Sequence, residues 1–280
     1  MPLVYQKHAE ILGDSPLKLY KGRIVYRGDA IKDEFFEWAL FGEVASSPSS
    51  MAASKVADFW GALPGHAVQY SDAEMAYTQA EMGGDPTYVR LPKAWWPDSW
   101  HKFADPCCRM LRALYGHPDA GYYWERHCRS IILNLEFKEI SNWPNVYFHA
   151  KRKLLLVVYV DDFKLAGPKA ELAWGWKELR KSISMDEPLP ALDGPSASEP
   201  RIHRFLGCDH EMQTIAADSQ LAAKLLRETA PYRIVPGDEP MSESDNQPRA
   251  APKKPALGTI NVVKDNMSAA LLGACDKYLK

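Results

Sequence analysis

The clearest pattern in the chain is an uninterrupted apolar run, Leu154-Leu155-Leu156-Val157-Val158-Tyr159-Val160, which stops at the adjacent acids Asp161-Asp162. A run of this length with paired valines predicts a strand buried on both faces and is far too short to span a membrane. Behind the acids, Phe163-Lys164-Leu165-Ala166 alternates in and out, which predicts the second arm of a β-hairpin with negative charge at its tip. Upstream, Val68-Gln69-Tyr70-Ser71 alternates as a half-buried strand would and ends on Asp72, ahead of the helix formers Ala73 to Tyr77. Ser46-Ser47-Pro48-Ser49-Ser50 predicts the cap of a helix running from Met51 to Leu63. Gly83-Gly84-Asp85-Pro86 predicts a turn, and Tyr88 to Pro92 a short strand ended by proline. Arg109 to Leu135 is mostly helix-compatible, interrupted at Gly116-His117-Pro118, and Ala170 to Ser184 predicts a further helix. Two stretches look loose, Asp186 to Arg201 and the proline-rich, charged Pro236 to Gly258. No internal repeat is evident.

Two carboxylates at a hairpin tip repel unless a cation lies between them, so the tip is a candidate divalent-metal site. Successive strand side chains point to opposite faces, so Asp161 and Asp162 share one ion only if the turn twists them together. Asp161 is the expected main ligand, with Asp162 assisting. A two-metal site needs another carboxylate, and Asp72 at its own strand end is the candidate. The three acids together would favour Mg²⁺ with water and phosphate oxygens. The plainer alternatives are a polar turn for Asp161-Asp162 and a helix cap for Asp72.

Composition adds bounds. The 280 residues, 46% of them hydrophobic and nine of them tryptophan, can bury a sizeable core in one large or two small domains. A net charge of −2 lacks the basic surplus typical of a protein that tracks phosphates. Local balance differs: between Trp100 and Lys153 the cations Lys102, Arg109, Arg112, Arg126, Arg129, Lys138, Lys151, Arg152 and Lys153 outnumber the acids. They would line a positive groove, although Lys151-Arg152-Lys153 also reads as a solvated turn. The five cysteines lack metal-ligand spacing and read as free thiols in a reducing compartment; nothing supports zinc at His117 and Cys128. Trp95, Trp96 and Trp100 read as core or loop-covering residues before stacking platforms for bases. With no signal peptide or membrane span, the expectation is an intracellular protein, cytoplasmic or nuclear.

At this point the residues resemble the reverse transcriptases of Ty1/copia-type retrotransposons. Tyr159-Val160-Asp161-Asp162 is similar to that family's YVDD hairpin, and Asp72 to Tyr77 to its DVKTAF block. Cys108 to Gly116 resembles "cRLkKALYGL", with Trp124-Glu125-Arg126 following, and Lys21 to Gly28 resembles "KARLVARG". Phe205-Leu206-Gly207 matches the "FLG" after the hairpin. The blocks fall in the right order over about Leu19 to Gly207, which is far more specific than any one alone.

The resemblance implies an α+β right-hand polymerase, with fingers and a palm whose antiparallel sheet is backed by helices, and a short or incomplete thumb. Residues 15–210 would be fingers and palm, 211–235 a partial thumb-like segment, 236–258 a disordered linker and 259–280 a terminal segment. It implies RNA-directed DNA synthesis with two Mg²⁺ (or Mn²⁺) ions held by Asp72, Asp161 and the carbonyl of Ala73, and with Asp162 in the catalytic cluster. The implied partners are an RNA or DNA template with its primer and deoxynucleoside triphosphates; oligomeric state stays open. Tyr77 would exclude a ribose 2′-hydroxyl, Lys21, Arg23 and Arg27 would meet the triphosphate, and Phe205, Leu206 and Gly207 would form the primer grip. Two departures stand out: Asp119 replaces a glutamine near the nucleotide, and the arginine that should follow is missing near Tyr122-Tyr123. An acid beside a triphosphate is unfavourable unless protonated, paired or turned away. The alternatives are a non-catalytic or decayed fragment that binds nucleic acid, and another palm-type enzyme such as a nucleotidyl cyclase, which the Lys21, Leu114-Tyr115-Gly116 and Phe205-Leu206-Gly207 blocks argue against.

Overall fold

The continuous apolar run forms the centre of a five-stranded antiparallel sheet, and both faces of that sheet are covered. The structure, a computed structural model, describes residues 1–7, 18–39, 41, 48–191, 202–216, 220, 224 and 259–266. In chain order the elements are β1 (Pro2–Lys7), β2 (Leu19–Ile24), α1 (Met51–Gly61), β3 (His66–Asp72), α2 (Ala76–Gln79), β4 (Tyr88–Val89) and β5 (Cys108–Arg109). They continue with α3 (Ala120–Asn134), β6 (Lys138–Glu139), β7 (Val146–His149), β8 (Leu154–Tyr159), β9 (Asp162–Pro168), α4 (Lys169–Leu179), β10 (Ile202–Phe205), β11 (Cys208–Ala216) and β12 (Thr259–Asn266). The large sheet has the order β3-β9-β8-β7-β6, β10-β11-β12 form a second sheet, and β1-β2 and β4-β5 are two-stranded.

Because side chains alternate along a strand, β8 sends Leu154, Leu156 and Val158 to one face and Leu155 and Val157 to the other. The first face, joined by Phe163 of β9, packs on α3 and α4 through Trp124, Ile132, Leu172, Trp176 and Leu179. The second meets Ala53 and Ala57 of α1, with Phe205 and Met212 of the β10–β12 sheet. An antiparallel strand normally reads apolar on one side only; here a second layer makes both sides apolar. Small residues on α1 let it lie close to the sheet. Its start is capped as expected, the Ser50 hydroxyl accepting from the Ala53 amide at 3.2 Å.

Three expectations are corrected. The alternation around Phe163 predicted an outward Lys164, yet Lys164 is 0% exposed. Its ammonium donates to Asp58 Oδ2 at 2.7 Å, Ser54 Oγ at 2.8 Å and the Ser54 carbonyl at 3.1 Å, because α1 covers the face to which it points. The segment from Arg109 to His117 is not helical. It bonds sideways instead: the Met110 amide donates to Thr87 O at 2.8 Å, Met82 to Leu111 O at 3.0 Å and Ala113 to Ala80 O at 3.0 Å. Helix α3 begins only at Ala120. Finally, the stretch from Asp186 is not loose at its start, since Asp186 and Leu189 donate to the carbonyls of Asp72 (2.9 Å) and Tyr70 (2.8 Å) along β3.

Gly28 and Gly116 meet where the segment after β2 approaches the segment before α3. A Cβ on Gly28 would lie 2.0 Å from Gly116 O, and one on Gly116, at φ +90°, would lie 2.1 Å from Tyr26 O. Only glycine allows that crossing, which the Tyr26 amide fastens by donating to Tyr115 O at 2.6 Å. Residues 192–201, 217–219, 221–223, 225–258 and 267–280 lie outside the described residues, and with them most of the thumb-like segment, the linker and much of the terminal segment. Of the last, β12 pairs antiparallel with β11. No helix among the described residues is long and apolar enough to cross a membrane.

Candidate active site

Strands β3, β8 and β9 bring Asp72, Asp161 and Asp162 to one place. Each offers a carboxylate oxygen, and these atoms all lie within 4.8 Å of one another. The register makes Asp72 the direct partner of Asp162 across the β3–β9 ladder, while Tyr159 pairs with Asp162 across the hairpin. Val160 and Asp161 are thus a two-residue turn, and Val160 sits in the left-handed region at φ 56°. For a β-branched residue this conformation costs on the order of 1–3 kcal/mol. Two bonds offset it: Trp124 Nε1 of α3 donates to Val160 O at 2.6 Å, and the Ala73 amide donates to Asp161 O at 2.8 Å. The twisted turn is what lets consecutive acids face one site.

The electrostatics are those of crowded like charges. Burial, then the charges of Asp161 and Asp72, push Asp162 up to about 7. Asp72 is also raised, by burial and by Asp161 and Asp186, against opposing pulls from its hydrogen bond with Asp162 and from Lys21. A site that resists ionisation although built of acids lacks positive charge, and all-oxygen donors at this spacing suit Mg²⁺ or Mn²⁺. The residues therefore fit the divalent ions that the sequence implies.

Around the acids stand two tyrosines. Tyr77 on α2 and Tyr115 have ring centroids 4.5 Å apart, and both hydroxyls are raised by burial and by the charge of Asp161. The Arg23 guanidinium lies 5.4 Å from the Tyr115 ring centroid. Helix α2 is held by Gln79, whose amide donates to Glu74 O at 2.7 Å and Ser184 O at 2.8 Å and accepts from Ser184 N at 2.8 Å.

Of the residues expected here, Asp72, Ala73, Asp161, Asp162, Tyr77, Lys21 and Arg23 are brought together by these contacts. Arg27 instead forks onto Asp29, at 3.2 and 2.8 Å. Asp119 takes the residue before α3, where its amide donates to His117 Nδ1 at 3.2 Å and its charge acts on His117 and Tyr123. A helix N-terminus favours an acid. Leu206 and Gly207 form the tight turn between β10 and β11, both at positive φ, and Phe205 packs in the core 6.0 Å from the Tyr70 ring. Several cations of the supposed groove are engaged: Arg112 with Glu81 at 3.7 Å, Arg129 with Glu139 at 3.0 Å, Lys151 with Glu136 at 2.9 Å, and Arg152 with Glu171. Trp96 and Trp100 are half-buried over their loop, and Trp95 is exposed.

Sequence reasoning gave no site role to Tyr115 or Asp186. The first lay inside a recognised block with no chemistry attached. The second had a signal, the alternation of buried Ile183 and Met185 with Ser184 and Asp186, which marks an extended segment beside β3.

A family profile described as Reverse transcriptase (RNA-dependent DNA polymerase) matches residues 4–189. No curated protein matches the chain. A telomerase from Candida albicans, solved in complex with a TWJ fragment of telomeric RNA, aligns at 12% identity and a TM-score of 0.30, over 58% of this chain and 33% of its own. The present chain thus spans about a third of that relative.

Proposed function

The chain belongs to the reverse transcriptase (RNA-dependent DNA polymerase) family, and from that premise we propose that it is a copia-type RNA-directed DNA polymerase extending a primer by two-metal nucleotidyl transfer. The observation that carries the reading is the convergence of the Asp72, Asp161 and Asp162 oxygens within 4.8 Å. In this reading the five-stranded sheet is the palm, and β1 and β2 belong to the fingers.

The primer 3′-oxygen attacks the α-phosphorus of a deoxynucleoside triphosphate, and the bond to the pyrophosphate oxygen breaks as the new phosphodiester forms. Two Mg²⁺ or Mn²⁺ ions, when bound, supply the charge that lowers the hydroxyl's pKa and offsets the negative charge of the pyrophosphate. Asp72 and Asp161 would hold the ions, assisted by the Ala73 backbone. Asp162, bonded to Asp72, sets how much negative charge the site carries before it is loaded. Lys21 and Arg23 bind triphosphate oxygens. Tyr77, braced by Tyr115, closes the sugar pocket and rejects a 2′-hydroxyl. Trp124 keeps the strained turn in its working geometry through Val160 O. Arg27 and Asp119 belong to the same reading as further triphosphate and nucleotide contacts, and the Leu206-Gly207 turn, anchored from the core by Phe205, as the primer contact.

One observation favours a second reading, a nucleic-acid-binding fragment without catalysis: Asp119 stands where a nucleotide-contacting glutamine is expected. Primer extension on an RNA template with Mg²⁺ separates the two. Incorporation that disappears in Asp161→Asn supports the polymerase. Template binding without incorporation by the native protein overturns it in favour of the fragment.

A further inference from the structure

On the face of the large sheet opposite α3 and α4, strand β11 carries Cys208 and His210 two positions apart, hence on one side of the strand. Strand β12 places Asp265 directly opposite His210. The Cys208 sulfur, a His210 nitrogen and an Asp265 carboxylate oxygen all lie within 4.8 Å of one another. Cys208 and His210 are 0% exposed, whereas the Asp265 side chain keeps 21% of its surface in solvent. The cluster is therefore sealed on the sheet side and open at one edge.

The histidine turns one ring nitrogen toward two anions. Its Nε2 lies 3.4 Å from the Phe205 carbonyl oxygen. Its Nδ1 faces two carboxylates, Asp265 Oδ1 at 2.9 Å and Asp58 Oδ2 at 3.1 Å. A bare nitrogen lone pair aimed at two anions is repulsive, so a proton or a metal ion must sit there. A metal ion also engages the Cys208 sulfur, which a proton on Nδ1 does not.

We propose that Cys208, His210 and Asp265 form a three-ligand zinc site that clips β12 to β11. Sulfur, imidazole and carboxylate together are a zinc donor set, with the fourth position filled by water at the Asp265 edge and hydrogen-bonded to Asp58. The bond from Nε2 to a backbone carbonyl is the outer contact that fixes a ligating imidazole. Binding releases the thiol proton, and the metal takes the place of any hydrogen on Nδ1. With the metal in place, Lys164 and Zn²⁺ balance the two aspartates and the thiolate, so the loaded cluster has no net formal charge. The ligands come from strands 55 residues apart in sequence, so the metal closes a long loop of chain.

The test is Co²⁺ titration of the full chain after chelation. One Co²⁺ per chain should produce a thiolate-to-cobalt charge-transfer band with tetrahedral visible bands, displaced by equimolar Zn²⁺. Cys208→Ser should lose the charge-transfer band, and Asp265→Asn should weaken Zn²⁺ binding roughly tenfold or more with unchanged circular dichroism. The oxygen-only cluster of Asp72, Asp161 and Asp162 cannot give a thiolate band. Absence of the band in the folded native protein, or its persistence in Cys208→Ser, overturns the proposal. Should Cys208→Ser fail to fold, Asp265→Asn decides, since unchanged Zn²⁺ affinity there also overturns it.

Discussion

Replacing Asp162 by asparagine should stabilise the metal-free protein while impairing its use of metal. The amide is a shape-matched stand-in for the neutral acid and can keep donating to Asp72. Asp162 rises from an ordinary 3.8 to about 7, chiefly through burial, then through Asp161 and Asp72. Because the folded pKa is raised, the native carboxyl contributes its full stability only below about pH 4, and loses it progressively as pH climbs through about 7. At 1.36 kcal/mol per unit the shift corresponds to about 4 kcal/mol, and allowing for solvent screening of this half-buried group leaves about 2 kcal/mol. For a chain of this size that is about 4 °C in Tm. The assay is thermal unfolding in chelator from pH 4 to pH 8. Native protein and Asp162→Asn should melt together at pH 4 and diverge by about 4 °C at pH 8, the variant being more stable. Added Mg²⁺ should raise the native Tm at pH 8 more than that of the variant, because the ion relieves repulsion that asparagine has already removed. Equal melting of the two in chelator at pH 8, or a less stable variant, would refute the claim that these acids are crowded and short of a cation.

Three further outcomes follow from particular contacts. Tyr77→Ala opens the space beside Tyr115 and should raise ribonucleotide incorporation in primer extension by roughly tenfold or more; unchanged sugar discrimination removes the role given to that ring. Gly116→Ala places a Cβ 2.1 Å from Tyr26 O at φ +90° and should cost about 2–4 kcal/mol in urea unfolding, a loss below about 0.5 kcal/mol showing that the crossing of the segment after β2 is not tight. Lys164→Met leaves Asp58 buried without the 2.7 Å ammonium contact that, with His210, holds its carboxyl below the usual range despite burial. A destabilisation of about 3–5 kcal/mol is expected, and a neutral result would mean that Lys164 and Asp58 are not paired in solution.

Local pattern was enough to identify the strand Leu154–Tyr159, the hairpin after it, the Ser50 cap and Asp72 at a strand end, because periodicity, caps and turns are written in neighbouring residues. The blocks in order identified the family for the same reason. Pairing was not legible. That Asp72 stands opposite Asp162 is a consequence of the β3–β9 register, and that Arg109 to His117 bonds to the 80–89 segment instead of coiling depends on a neighbour distant in the chain. Lys164 read as a solvated position because alternation tells which face a side chain takes but not what covers that face; α1 and the β10–β12 sheet made it a buried ion pair. Cys208, His210 and Asp265 have no motif spacing, since strand pairing across 55 residues supplies their proximity. The chain by itself thus determined its elements and the chemistry of its acidic tip, while tertiary packing decided which charges face one another, because electrostatic and metal-binding chemistry depends on distances that only the folded register sets.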